Sequence, residues 1–254
     1  MQKKNSLLVL TSISFKKKVY QKYSVIIENF FEEHKIQVLE ENKLSRFVKD
    51  YFFYASEEKI AIIFPDTSPR GDGVPDDESF DLGQGAGFYV NSTEKPWKKN
   101  FQMWSYIVDE LPNLVLKEFP LDQDKQSIMG HSMGGLGALN IAFRNPEIYK
   151  TVSAFAPISN PTKGVWGQKQ FEAYLGKDKE KWKKYDPSSL LNELGYKGKI
   201  LVDQGTKDDF LKSLMPETLE KILKQRTNGD KIRYQKDYDH SYFFVSSFLR
   251  DHIL

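Results

Sequence analysis

Residues 126–144 read QSIMGHSMGGLGALNIAFR, an apolar run that breaks at Gly130-His131-Ser132-Met133-Gly134 and resumes as small residues and leucines. No other stretch narrows the fold as much. A serine between two glycines, after an extended apolar segment and before a small-residue helix, fits the sharp strand-to-helix turn that presents a nucleophile. The glycines permit the turn and let the helix approach the strand closely. Ser132 then lies over a helix N-terminus, whose partial positive charge favours an oxyanion.

The rest of the chain supplies a sheet for that turn. The runs KIAIIFPD, QSIMGHS, VSAFAPIS, KILVDQG and KIRYQKDY are apolar or β-branched and end in turn-forming or polar residues; YSVIIEN and KIQVL read as earlier strands. Between them LSRFVKDYFFYAS, YIVDELPNLVLKEF, GGLGALNIAFRNP and MPETLEKILKQRT have the character of helices. This alternation predicts an α/β fold with a mainly parallel sheet covered on both faces. At 254 residues the chain is expected to form a single domain over 1–254. Residues 65–97, rich in Gly, Pro and Asp, form a long loop of the kind that is usually functional or disordered. Its Gly83, Gly85 and Gly87 are spaced G-x-G-x-G and precede an extended FYV, so no dinucleotide fingerprint is assigned.

A nucleophilic serine needs a base and a group to orient it. The chain has 4 histidines. His131 adjoins Ser132 on a turn where neighbours point apart and is expected in the turn or core. His34 and His252 are expected at the surface. His240, in KDYDHSYFF after a late strand, occupies the place an α/β-hydrolase gives its base. The acid should fall between serine and base. Asp203 lies within the strand KILVDQG, whereas Asp208 and Asp209 follow it, and spacing leaves those two open.

Charge and composition exclude other classes. With 37 Lys plus Arg against 35 Asp plus Glu, interspersed, there is no footprint for nucleic acid or a membrane surface. No run approaches the ~20 apolar residues of a membrane span. LLVL near the N-terminus faintly mimics a leader but meets Lys16-Lys17-Lys18 without a cleavage pattern. The chain contains 0 cysteines, which excludes disulfides, thiolate metal sites and a cysteine nucleophile. A soluble, cytoplasmic protein is expected.

The stretches IIFPDTSPRG, DLGQGAGFYV, KPWKKNFQMWSYIVDELP, IMGHSMGGLGALNIAFRNP, VSAFAPISNPTKGVWGQKQFEAYLG, VDQGTKDDFL and DYDHSYFFVSSFLRDHI together resemble the S-formylglutathione hydrolase (esterase D) family, in the family's order, over residues 60–254. The resemblance implies an α/β-hydrolase fold and a triad of Ser132, Asp208 and His240, Asp208 being the acid of its QG-x-x-D-x-F-L pattern. It implies hydrolysis of a glutathione thioester, S-formylglutathione, with carboxylesterase side activity, no metal or redox cofactor, and a homodimer. It also places Trp166 near the substrate and the 85–90 segment as a wall of a small acyl pocket.

The family builds its oxyanion hole from the N–H after the nucleophile, here Met133, and from a second loop at the end of an earlier central strand. No counterpart of that loop is legible: residues 1–59 are divergent or shortened, and the first glycine is Gly71. The expectation is therefore a sheet lacking one central strand, and a rate reduced ~100 to 1000-fold by loss of one donor. Two alternatives follow: a noncatalytic or impaired hydrolase-fold protein, and a related small-acyl carboxylesterase.

Overall fold

The computed structural model describes residues 5–11, 46–227 and 229–254. Its elements, in chain order, are β1 (Asn5–Thr11), α1 (Arg46–Glu58), β2 (Ile60–Ile63), α2 (Leu111–Glu118), β3 (Leu121–His131), α3 (Met133–Arg144), β4 (Tyr149–Phe155), α4 (Val165–Leu175), α5 (Pro187–Leu194), β5 (Lys199–Gly205), α6 (Pro216–Leu223), β6 (Lys231–Gln235) and α7 (Tyr242–Ile253), joined by turns and shorter helices. The strands form one sheet in the order β2-β1-β3-β4-β5-β6, with every pair parallel.

This arrangement corrects the expected loss of a central strand. The LLVL segment, set aside as a leader mimic, lies inside the sheet as β1, with Val9 opposite both Ile63 of β2 and Ile128 of β3. Its seven residues are flanked by lysines and lack the Gly, Pro or Asp that mark the other strands, so local pattern did not reveal it. The proposed early strands YSVIIEN and KIQVL, like His34, lie outside the described residues, as do all of residues 12–45.

The helices sort by partner. α3 packs on β3 and β4 with α5 against it, while α1 and α7 pack on each other and reach β2 and β5. α3 is buried from Met133 to Phe143, which explains its run of small and apolar residues: a helix apolar on all sides belongs in a core. The predicted helix at 106–119 divides in two. Pro112 lacks an N–H and its ring collides with the carbonyl four residues back, and the preceding turn, Tyr106–Glu110, widens to a π-helix in which Leu111 N–H bonds Tyr106 O.

The long loop is packed, not loose. Gly83 N–H donates to the Tyr174 hydroxyl at 2.8 Å, and that hydroxyl donates to Ala86 O at 2.8 Å. Phe88, Tyr89 and Val90 are almost fully buried. The Tyr89 ring lies on α3 at Gly137, where an added Cβ would come within 2.5 Å of it.

His252, expected at the surface, is buried instead. Its Nε2 lies 3.3 Å from Asp203 Oδ2 and its ring stacks on Phe155 at 3.9 Å between centroids. Asp203 also accepts two 2.6 Å bonds from Arg233, whose guanidinium reaches Asp251 as well. Two residues from the chain end, His252 looked peripheral; α7 carries it inward on the helix face that meets the sheet. Burial lowers its pKa from the usual 6.5, so it is held neutral. Burial alone would raise the Asp203 carboxyl, but bonds from His252 and Arg233 outweigh it and hold its pKa below the usual value.

Two outcomes follow. Gly137→Ala should lower stability by about 1–3 kcal/mol through overpacking against Tyr89, although helix propensity alone would favour alanine by ~1 kcal/mol; thermal denaturation gives the sign. Because native His252 resists a proton that the unfolded chain accepts near 6.5, its contribution holds above that pH and is lost as pH falls below it. Asp203 adds a second loss at lower pH, as its carboxyl titrates through its depressed value. The gap in thermal midpoint between the wild type and His252→Gln should therefore narrow as the solution is acidified below about pH 6.5.

Candidate active site

Three strand ends assemble the site. Ser132 follows β3 and caps α3 with φ 58° and ψ −119°, a conformation that L-residues rarely hold. Its own backbone is clamped: Ser132 N–H donates to Phe155 O at 2.9 Å, and Ser132 O accepts from Leu136 N–H at 3.0 Å. The turn is tight because α3 lies on the chain after β4. A Cβ at Gly135 would fall 2.8 Å from Pro157 and 3.3 Å from Gly130 O. Met133 is the first residue of α3, so its N–H is among the amides at a helix start that have no partner within the helix.

The second and third parts come from the ends of β5 and β6. Asp208 lies in the loop after β5, its side chain fully buried. His240 lies between β6 and α7, and its Nδ1 is 2.7 Å from Asp208 Oδ2. That bond joins His240 to Asp208, the acid the resemblance implies, while Asp209 is exposed. Two further donors hold Asp208: Phe210 N–H on Oδ1 at 2.8 Å and Gln204 Nε2 on Oδ2 at 2.9 Å.

His131 is buried, as expected of a turn or core residue. Its ring centroid is 4.5 Å from that of His240. Burial, and then the neighbouring His240, push its pKa well below the usual 6.5, so it stays neutral beside the base. The contact also brings His240 to the elbow that carries Ser132.

Trp166, at the start of α4, is half-buried and joined to the same cluster. It stacks on Phe210 at 5.6 Å, and the Phe210 ring meets His240 edge-on at 5.0 Å. Trp166 Nε1 donates to Asp81 Oδ2 at 2.7 Å, and Lys169 pairs with Asp81 Oδ1 at 2.7 Å. Burial works against the Asp81 carboxylate, yet bonds from Lys169, Ser79 and Trp166 hold its pKa below the usual value. The 65–97 loop thereby reaches the site through a carboxylate as well as through ring contacts. Phe88, in the segment expected to wall an acyl pocket, stands 6.5 Å from Trp166 in edge contact.

The sequence did not single out Gln204, Phe210 or Asp81. The first two lie within QGTKDDF, the motif that placed Asp208, and a strand ending on a polar Gln was the available signal. Asp81 had no local mark, because apart from Ser79 its side-chain partners, Trp166 and Lys169, come from α4. Among the described residues no group of three or more His, Cys, Asp or Glu side chains could hold a metal ion, and no helix is long and apolar enough to cross a membrane.

A serine in a strained elbow, a histidine packed against that elbow at His131 and a buried carboxylate on the histidine match the order of parts in a serine esterase triad. A family model described as "Putative esterase" matches residues 44–254. The chain is 57% identical over 200 residues to an S-formylglutathione hydrolase of Paracoccus denitrificans, an alignment covering 79% of this chain and 72% of that protein. The chain belongs to this esterase family. The crystal structure of the S-formylglutathione hydrolase of Agrobacterium tumefaciens superposes with a TM-score of 0.81 at 38% identity, covering 98% of this chain and 82% of that one. The fluorophosphonate-binding serine hydrolase FphF of Staphylococcus aureus shares the fold, with a TM-score of 0.62 at 19% identity over 98% of this chain and 83% of that one.

Asp208→Asn should lower kcat by about 10⁴-fold, since it leaves the shape but disfavours the tautomer that His240 needs. Asp209→Asn should leave kcat within about twofold, as surface changes usually do. Steady-state kinetics on the pair reads both.

Proposed function

We propose that the chain is a serine thioesterase that hydrolyses S-formylglutathione to glutathione and formate, with carboxylesterase activity on small acyl esters. The single observation that carries this reading is the 2.7 Å contact of His240 Nδ1 with buried Asp208 beside the Ser132 elbow, in a chain 57% identical to an enzyme of that name.

The steps follow from the roles. His240 Nε2 takes the Ser132 proton as Oγ attacks the formyl carbon, and Asp208 steadies the imidazolium that forms. The Met133 N–H, at the start of α3, donates to the oxygen that gains negative charge. Collapse breaks the C–S bond and releases glutathione, which takes the proton from His240. Water, deprotonated by His240, then attacks the formyl-serine and frees formate and Ser132. Trp166, stacked on Phe210 next to the base, borders the space the substrate occupies, and the Phe88 side of the loop bounds the acyl end. Removal of formaldehyde captured on glutathione, in the cytoplasm and as a homodimer, is the setting that fits this activity.

The test is release of glutathione from S-formylglutathione by purified wild type and Ser132→Ala. The wild type should turn over, and Ser132→Ala should lose on the order of 10⁶-fold in kcat. Faster hydrolysis of longer acyl esters than of the formyl thioester would transfer the assignment to a general carboxylesterase. Absence of both hydrolysis and fluorophosphonate labelling in folded wild type would refute the enzyme reading.

A further inference from the structure

The Asp208 carboxylate does not meet His240 alone. Oδ2, the oxygen facing His240 Nδ1, also accepts from Gln204 Nε2 at 2.9 Å, while Oδ1 is taken by the Phe210 amide. Gln204 is the penultimate residue of β5 and is fully buried. Side chains alternate along a strand, so Asp203 serves the Arg233 and His252 network and Gln204 turns the other way, toward the site.

The orientation of the Gln204 amide is dictated by its surroundings. Both groups within reach of Nε2, Asp208 Oδ2 and Gly205 O at 3.2 Å, are acceptors. A flipped amide would set oxygen against oxygen twice. The nitrogen must face the acid, and the amide oxygen is then buried without a hydrogen-bond partner among the described residues. A residue kept only to fill space would be apolar, because an unpartnered buried oxygen opposes folding. The placement has a use at the carboxylate.

We propose that Gln204 is a positioning residue for the base: by donating to the oxygen that His240 bonds, it fixes the carboxylate plane and draws off part of the charge that would otherwise hold the proton on the imidazole. This rests on the assignment of Ser132, Asp208 and His240, and not on the identity of the thioester. The groups facing His240 are few. Asp208 approaches from the loop after β5 and the neutral His131 from the end of β3, with Tyr242 of α7 against His131 at 5.6 Å, and Asp239 is its neighbour in the chain. With Gln204 removed, Asp208 directs its full charge at His240, the base holds its proton to higher pH, and its ring loses a fixed plane.

The experiment compares wild type, Gln204→Met and Gln204→Glu by the rate of fluorophosphonate labelling across pH, a readout independent of the natural substrate, and by steady-state hydrolysis. Gln204→Met, of similar length but without a donor, should slow labelling roughly 10 to 100-fold, the range seen when an outer-shell partner is lost. Its loss should fall on kcat and not on KM, and the acid limb of its pH profile should move to higher pH. Gln204→Glu places a second carboxylate against Asp208, so at alkaline pH it should be slower than Gln204→Met. Labelling of Gln204→Met within twofold of wild type with an unmoved acid limb overturns the proposal. Should Gln204→Met not fold, Gln204→Leu, which also lacks a donor, takes its place with the same two outcomes. Failure of wild type to label would count against the triad itself, which keeps the two failures apart.

Discussion

A serine at φ 58° and ψ −119° occupies backbone space that side chains avoid, and it remains there because the rest of the turn has nowhere else to go. The Ser132 amide is bonded to the end of β4, its carbonyl to the first turn of α3, and Gly135 lets α3 settle on Pro157. The strain is local, of the order of 1–3 kcal/mol, whereas the contacts that oppose its relief are spread over β3, β4 and a helix buried along most of its length. Releasing the serine would require lifting α3 from the sheet. The hydroxyl therefore stands at a fixed point, and loops after β5 and β6 bring Asp208 and His240 together on the side of the elbow's His131.

Those loops are kept in place by hydrogen bonds and ring contacts more than by regular structure. Asp208 accepts three hydrogen bonds, His240 lies among His131, Phe210 and Asp208, and Phe210 continues the contact to Trp166. Trp166 in turn is tied to Asp81 in the long segment between β2 and α2. A chain of contacts thus runs from the base to a loop distant in sequence. Motion of that loop is opposed by two different kinds of anchor, the Lys169–Asp81 ion pair and the hydroxyl of Tyr174.

The site was more legible than the sheet that holds it. The elbow is a local pattern, complete within five residues, and its partners recur at strand ends in an order that spacing can follow. Spacing alone could not separate two adjacent, identical residues, Asp208 and Asp209; only the former bonds His240. β1 was missed because a short central strand near the terminus carries no turn residues, and its strand character is conferred by β2 and β3 on either side. α4, α5 and α7 were missed for a related reason: their sequences mix aromatic, polar and β-branched residues, and packing against neighbouring elements, other helices for α4 and α5, overrides weak propensity. His252 was misplaced because distance from the chain end is a poor measure of depth when a helix carries the last residues inward.

The position of β1 also governs the order in which this sheet can form. Parallel neighbours cannot be joined by a tight turn, and β1 lies between two strands that both come later in the chain, β2 at Ile60–Ile63 and β3 at Leu121–His131. β1 precedes both of its neighbours in the chain. Its pairing with β3 cannot form before the strand leading to Ser132 has been made, and closing so long a loop is entropically slow. The sheet can grow readily from β3 through β6, whose neighbours follow one another in sequence; insertion of β1 beside β3 is the long-range step that joins this block to β2.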